Sequence, residues 1–148
     1  MSIQNKFHVK CKNNSVLKLE TDFCQLEKKD EYVLELYRKT RLFKKELIGF
    51  IQIQIIKSDP ALSILGIDNA VKIWKNYIKE QYRFNHLASK MMDLLCDYIK
   101  ESSLPHTIIA YPGGTTIIEE LYEFYSKINF KIVDENMEPV KAMYRKVE

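Results

Sequence analysis

The chain has 148 residues, enough for about one domain with a single sizeable core. Its 23 basic and 20 acidic residues leave a net charge of +3, too mild to demand a nucleic-acid or membrane partner, and lysine supplies nearly all the basicity in place of the arginine forks that read phosphates and bases. Four glycines and four prolines exclude collagen-like and Gly/Pro-rich disordered classes, and a 46% hydrophobic content argues for a folded globule.

Residues 7–12 alternate weakly and predict a first strand, which Asn13-Asn14 ends. Residues 15–30 are undetermined, because Val16, Leu17 and Leu19 fit neither the helical nor the strand period. Residues 32–38 read as a strand. Residues 47–56 are a clearer one, with Ile51, Ile53 and Ile55 alternating with Gln52 and Gln54. The polar stretch 39–46 between them predicts a hairpin, and Asp59-Pro60 stops the second strand. Residues 71–79 predict a further strand.

The period then changes. Phe84, Leu87, Ala88, Met91, Leu94, Leu95, Tyr98 and Ile99 fall at helical spacing and predict a helix over residues 84–101. A short strand over 106–111 follows Pro105, and Pro112-Gly113-Gly114 is a turn. Thr115 or Thr116 caps a second helix, with Glu119 placed to complete a capping box on Thr116 and Ile117, Ile118, Leu121, Tyr122 and Tyr125 on its buried face. Residues 130–133 and 142–147 are closing strands. This order predicts a single α/β or α+β domain, residues 1–148, with a mixed sheet.

Cys11, Cys24 and Cys96 are too few and too scattered for a disulfide framework or a four-cysteine zinc site, and they suit a reducing cytoplasm. Residues 1–10 hold no apolar run of the signal-peptide kind, and no stretch approaches the ~18 apolar residues of a membrane span. His8, His86 and His106 have no metal-ligand spacing, so no metal is expected. Cys96 lies one residue off the helix stripe and reads as a half-buried structural thiol. Ser102-Ser103 read as a helix end, and Trp74 as an anchor in the sheet or, alternatively, as a ligand-facing residue.

Two segments resemble a known family. Ile78-Lys79-Glu80-Gln81-Tyr82-Arg83-Phe84-Asn85-His86-Leu87-Ala88 resembles the acetyl-CoA motif of GNAT acetyltransferases, in which a strand ending in Val leads through a P-x-Y-R turn into Q/R-x-x-G-x-G/A. Ile78 matches the Val, Tyr82-Arg83 the Tyr-Arg, and Ala88 the final Gly/Ala. Tyr125-Ser126-Lys127-Ile128-Asn129-Phe130 resembles the family's late Y-x-K-x-G-F, and Met143-Tyr144-Arg145-Lys146 its final strand. The likeness covers residues 32–148. The family's central glycine is His86 here, its proline Glu80 and its late glycine Asn129, and the usual pair of N-terminal helices is not evident in residues 13–31.

The resemblance implies a mostly antiparallel central sheet flanked by helices, with the N-terminal helices reduced. It implies acetyl-CoA as cosubstrate, an amine acceptor (a small molecule or a protein amine), and leaves room for a homodimer. Asn76, Tyr77 and Ile78 would offer backbone to the pantetheine amides. Arg83, Phe84, Asn85, His86, Leu87, Ala88 and Ser89 would form the turn that holds the pyrophosphate, because a helix N-terminus offers amides and positive dipole. A backbone N–H near Tyr77 or Ile78 would stabilise the oxyanion, and Tyr125 would protonate the leaving thiolate. No base is assigned; Glu35 and Glu46 read as solvent-facing.

Residues 83–89 also fit the plain first turn of an amphipathic helix, and Tyr125 also fits a core position on its helix. Within a helix, glycine in place of His86 would cost about 1 kcal/mol. The function implied is acetyl transfer to a primary amine. The alternatives are a non-catalytic GNAT-like module that binds acyl-CoA or a protein, and an unrelated α+β interaction module using helix 84–101 as its partner face.

Overall fold

A computed structural model describes residues 3–10, 16–40, 44–83, 86–113 and 118–148, of which 3–5, 7, 9, 10 and 118 through their backbone alone. Its elements are β1 (Ile3–Lys10), β2 (Val16–Gln25), β3 (Glu31–Lys39), β4 (Lys45–Ile56), α1 (Pro60–Leu65), β5 (Ala70–Ile78), a 3-10 turn (Glu80–Tyr82), α2 (Leu87–Glu101), β6 (Thr107–Ala110), α3 (Ile118–Lys127), β7 (Lys131–Ile132) and β8 (Met143–Lys146). The fold is mixed α/β with a mostly antiparallel sheet. It divides into two compact units, Met1–Ile53 with Trp74–Tyr98, and Gln54–Ile73 with Ile99–Glu148.

In the first unit the strand order is β1-β2-β3-β4-β5. Strand β2 occupies the stretch whose period was undetermined. Leu17, Leu19, Thr21 and Phe23 point to its buried side, so a threonine interrupts the apolar alternation that marks a strand. Burying that hydroxyl without a partner would be costly, and Tyr98 of α2 meets it: Thr21 Oγ1 and the Tyr98 hydroxyl are 2.8 Å apart. The Tyr98 ring also stacks on Phe23, with centroids 5.1 Å apart. Leu87, Met91, Leu94 and Leu95 complete the buried stripe of α2, as their spacing predicts.

In the second unit the order is β4-β5-β6-β8-β7. Strand β6 pairs in parallel with β5 at Val71↔Ile108 and Lys72↔Ile109, and antiparallel with β8 from Thr107↔Lys146 to Ala110↔Met143. Helix α1 follows the predicted strand stop and was not foreseen. Asp59 caps it by accepting from the Ala61 amide at 2.9 Å, Pro60 opens it, and Gly66 ends it at φ 69°. Ala61 and Leu62 pack there with Ala70, Ile109 and Ala142.

Several expectations need correction. Helix α2 is Leu87–Glu101, and of the three residues expected to open it, His86 is left-handed while Phe84 and Asn85 lie outside the described residues. Trp74 does not anchor the sheet but is 57% exposed, and Cys96 is buried rather than half-buried. Thr115, Thr116 and Ile117, and with them the expected capping box, lie outside the described residues.

Candidate functional site

Strand β5 buries Val71 and Ile73 in ordinary alternation, and then the alternation stops: Trp74, Lys75, Asn76 and Tyr77 are all exposed, and Ile78 is buried again. Among the described residues its parallel ladder with β6 covers only Val71 and Lys72, whereas the strand runs on to Ile78. Asn76 and Tyr77, expected to offer backbone to a ligand, lie in this open stretch.

Strand β4 holds the far end of β5. The Lys79 amide donates to the Ile48 carbonyl at 2.8 Å. Gly49 lies beside it, and a Cβ built there would stand 2.8 Å from the Tyr77 carbonyl oxygen and 3.2 Å from Ile78 Cγ1. Only glycine allows that approach of two backbones. Phe50 and Tyr77 have ring centroids 5.8 Å apart. Lys79 Nζ reaches Glu46 at 3.0 Å, and this hydrogen bond raises the lysine's pKa above its usual value.

The chain then turns through Glu80–Tyr82. Tyr82 is buried and its hydroxyl accepts from Arg38 Nη1 at 2.8 Å. Arg83 folds back on the strand: Nε donates to the Ile78 carbonyl at 2.7 Å, and the guanidinium lies 5.8 Å from the Tyr77 ring centroid. Phe84 and Asn85 lie outside the described residues. His86 follows at φ 56°, exposed and left-handed, and its carbonyl accepts from the Lys90 amide at 3.1 Å. Leu87, Ala88 and Ser89 form the first turn of α2, where a helix has no partners of its own for its amides. The Leu87 side chain is wholly buried, so that residue can offer a ligand only its backbone.

His86 therefore does not sit in a helix interior, and the expected cost of glycine there does not apply. It adopts the left-handed conformation that glycine adopts freely. Asn129 does the same at φ 70°. Both positions where the resembling family has glycine keep the glycine-type backbone.

Tyr125 belongs to the second unit, in α3, and is 7% exposed. Phe124 and Phe130 meet its ring edge-on, at 5.3 and 5.1 Å between centroids. Glu35 and Glu46 are half-buried and partnered rather than solvent-facing: Glu35 accepts from the Tyr37 hydroxyl at 2.9 Å, and Glu46 holds Lys79. Burial first, then the hydrogen bond to Glu35, pushes the Tyr37 phenol up to about 12.

Gly49 and Arg38 escaped the sequence reading. A glycine inside an alternating apolar strand is the signal for the first. Nothing local marks the second, whose partner Tyr82 lies 44 residues away.

No family model matches the chain, and no curated protein matches it by sequence. Solved structures do. NAA60 of Arabidopsis thaliana in complex with acetyl-CoA superposes with a TM-score of 0.60 and 16% identity, covering 79% of this chain and 75% of that one. Arabidopsis thaliana Naa50 with the bisubstrate analogue CoA-Ac-MVNAL gives 0.53 and 17%, over 77% and 72%. An acetyltransferase of the GNAT family from Staphylococcus aureus gives 0.54 and 16%, over 80% and 69%. The chain has the fold of the GNAT acetyltransferases.

Proposed function

We propose that the protein is an acetyl-CoA-dependent N-acetyltransferase that moves acetyl directly to a primary amine. The observation that carries this reading is the turn from β5 into α2, where an open strand is followed by left-handed His86 and then by the first amides of a 15-residue helix. Its parts fit the cosubstrate. The amides of Leu87, Ala88 and Ser89 suit the pyrophosphate, together with the positive end of the helix dipole. The small Ala88 side chain leaves room beside them. The exposed stretch of Asn76 and Tyr77 suits the pantetheine amides. The fold supports the same reading, because NAA60 and Naa50 share it and are described with acetyl-CoA and a CoA-based analogue.

Acetyl-CoA supplies an activated acetyl group and a thiolate leaving group. In this reading a backbone N–H near Tyr77 or Ile78 stabilises the developing oxyanion, and Tyr125 delivers a proton to the departing sulfur. The second role rests on the segment Tyr125–Phe130 and on the left-handed Asn129 within it.

Calorimetric titration with CoA, followed by acetyl-transfer assays over a panel of primary amines, tests the proposal. Saturable CoA binding and turnover with at least one amine are expected. Ala88→Glu should weaken CoA binding by about tenfold or more, by placing charge and bulk beside the phosphates. A folded Ala88→Glu variant with undiminished affinity would remove the pyrophosphate from this turn.

A further inference from the structure

We infer that Arg83 is a positioning residue that braces the end of β5, not a counter-ion for the cosubstrate's phosphates. This deepens the acetyl-CoA reading and rests on it.

The Ile78 carbonyl and the Lys79 amide belong to one peptide unit, and both ends of that unit are held. Arg83 Nε donates to the carbonyl at 2.7 Å, and the Lys79 N–H donates to the Ile48 carbonyl at 2.8 Å. A peptide plane bonded on both sides cannot rotate without losing a hydrogen bond. Nε has a single proton, and it is committed to Ile78. The rest of the guanidinium lies over Tyr77, whose ring packs in turn on Phe50 of β4. Gly49 closes the arrangement from β4, with no room for a Cβ against the Tyr77 carbonyl. Strand β5 leaves its partner β6 after Lys72. The peptides that follow therefore depend on β4 and on Arg83 for their orientation, and those peptides lead directly into the phosphate-binding turn. Arg83 acts on the ligand through them.

Three replacements separate the two roles. Glutamine places a donor nitrogen the same number of bonds from Cα as arginine Nε but carries no charge. Lysine keeps the charge and has a methylene at that point. Methionine has neither. CoA affinity is measured by calorimetry for the wild type and for Arg83→Gln, Arg83→Lys and Arg83→Met, and amide hydrogen exchange at Lys79 is followed in the ligand-free proteins. Arg83→Gln is expected within about threefold of wild-type affinity, and Arg83→Lys and Arg83→Met about tenfold weaker. Lys79 should exchange faster in the lysine and methionine variants than in the glutamine variant. The opposite order, with lysine matching the wild type and glutamine weakened, would overturn the inference and make Arg83 a phosphate ligand. Unchanged exchange at Lys79 in every variant would overturn it as well. The expected exchange pattern in a wild type that binds no CoA would uphold the brace and sink the acetyl-CoA reading instead.

Discussion

Phe130 is bound to Tyr125 twice. Its amide donates to the Tyr125 carbonyl at 3.0 Å, and its ring meets the Tyr125 ring edge-on at 5.1 Å. With the Asn129 amide donating to the Ser126 carbonyl at 3.3 Å and Asn129 left-handed, this is a Schellman close to α3, and the aromatic pair is its hydrophobic contact. Tyr125 thus has a structural task in its backbone and ring, whatever its hydroxyl does.

Tyr125→Phe separates the two tasks. The ring and the helix close remain, so the melting temperature should move by no more than a lost hydrogen bond, ~1 kcal/mol. CoA affinity should hold, because the acid acts on charge that develops during the reaction. Turnover should fall by roughly 10²-fold. Turnover within about threefold of wild type would confine Tyr125 to the helix close.

Glycine at the two left-handed positions should be tolerated. His86→Gly relieves a backbone cost of about 1–2 kcal/mol and adds about 0.5–1 kcal/mol of unfolded-state entropy, for a gain between zero and about 1.5 kcal/mol. Asn129→Gly should gain less, because asparagine already tolerates this region. His86→Val should lose stability. Urea denaturation of the three variants gives the signs, and a loss for His86→Gly would show that its imidazole holds the turn.

Gly49→Ala should destabilise the protein by about 1–3 kcal/mol, because its Cβ would meet the Tyr77 carbonyl oxygen at 2.8 Å and neither backbone has a rotamer to yield with. The same variant should bind CoA more weakly. Chemical denaturation and calorimetry on one preparation check both.

Tyr37 makes stability sensitive to alkali. Burial, and then the hydrogen bond to Glu35, pushes its folded pKa up to about 12 from the usual tyrosine value of 10.0, so the protonated phenol is favoured in the native state. That contribution is complete below pH 10 and is lost as pH rises towards 12. Tyr37→Phe should flatten the fall of stability over this window, as followed by denaturation at stepped pH. An unaltered slope would place the titration elsewhere.

The sequence shows β4 and α2 well because their periods are unbroken: Ile51 and Ile53 alternate with glutamines, and Leu87, Met91, Leu94, Leu95 and Tyr98 recur at helical spacing, all of them buried. Strand β2 stays unreadable because Thr21 occupies an inward position and its satisfying partner, Tyr98, lies 77 residues away. Trp74 misleads for a related reason. An aromatic in a strand is ordinarily buried, but Trp74 falls on the face of β5 opposite Val71 and Ile73, and that face is exposed here. The motif from Ile78 to Ala88 is legible as a run of residue types. The bond that ties Arg83 to Ile78 is not, since it depends on the turn between them.

The early end of the β5–β6 ladder also bears on solubility. A strand edge left without a neighbouring strand recruits strands from other molecules. Lysine along an edge discourages that pairing, because a second strand would have to bury its charge. Lys75 lies in the open stretch and Lys79 just beyond it, with Lys75 exposed. The exposed end of β5 is thus guarded against self-association by the charge of Lys75. Replacing Lys75 with isoleucine would leave Trp74 and Tyr77 flanking an apolar, uncharged edge, and the protein would then precipitate at lower concentration than the wild type.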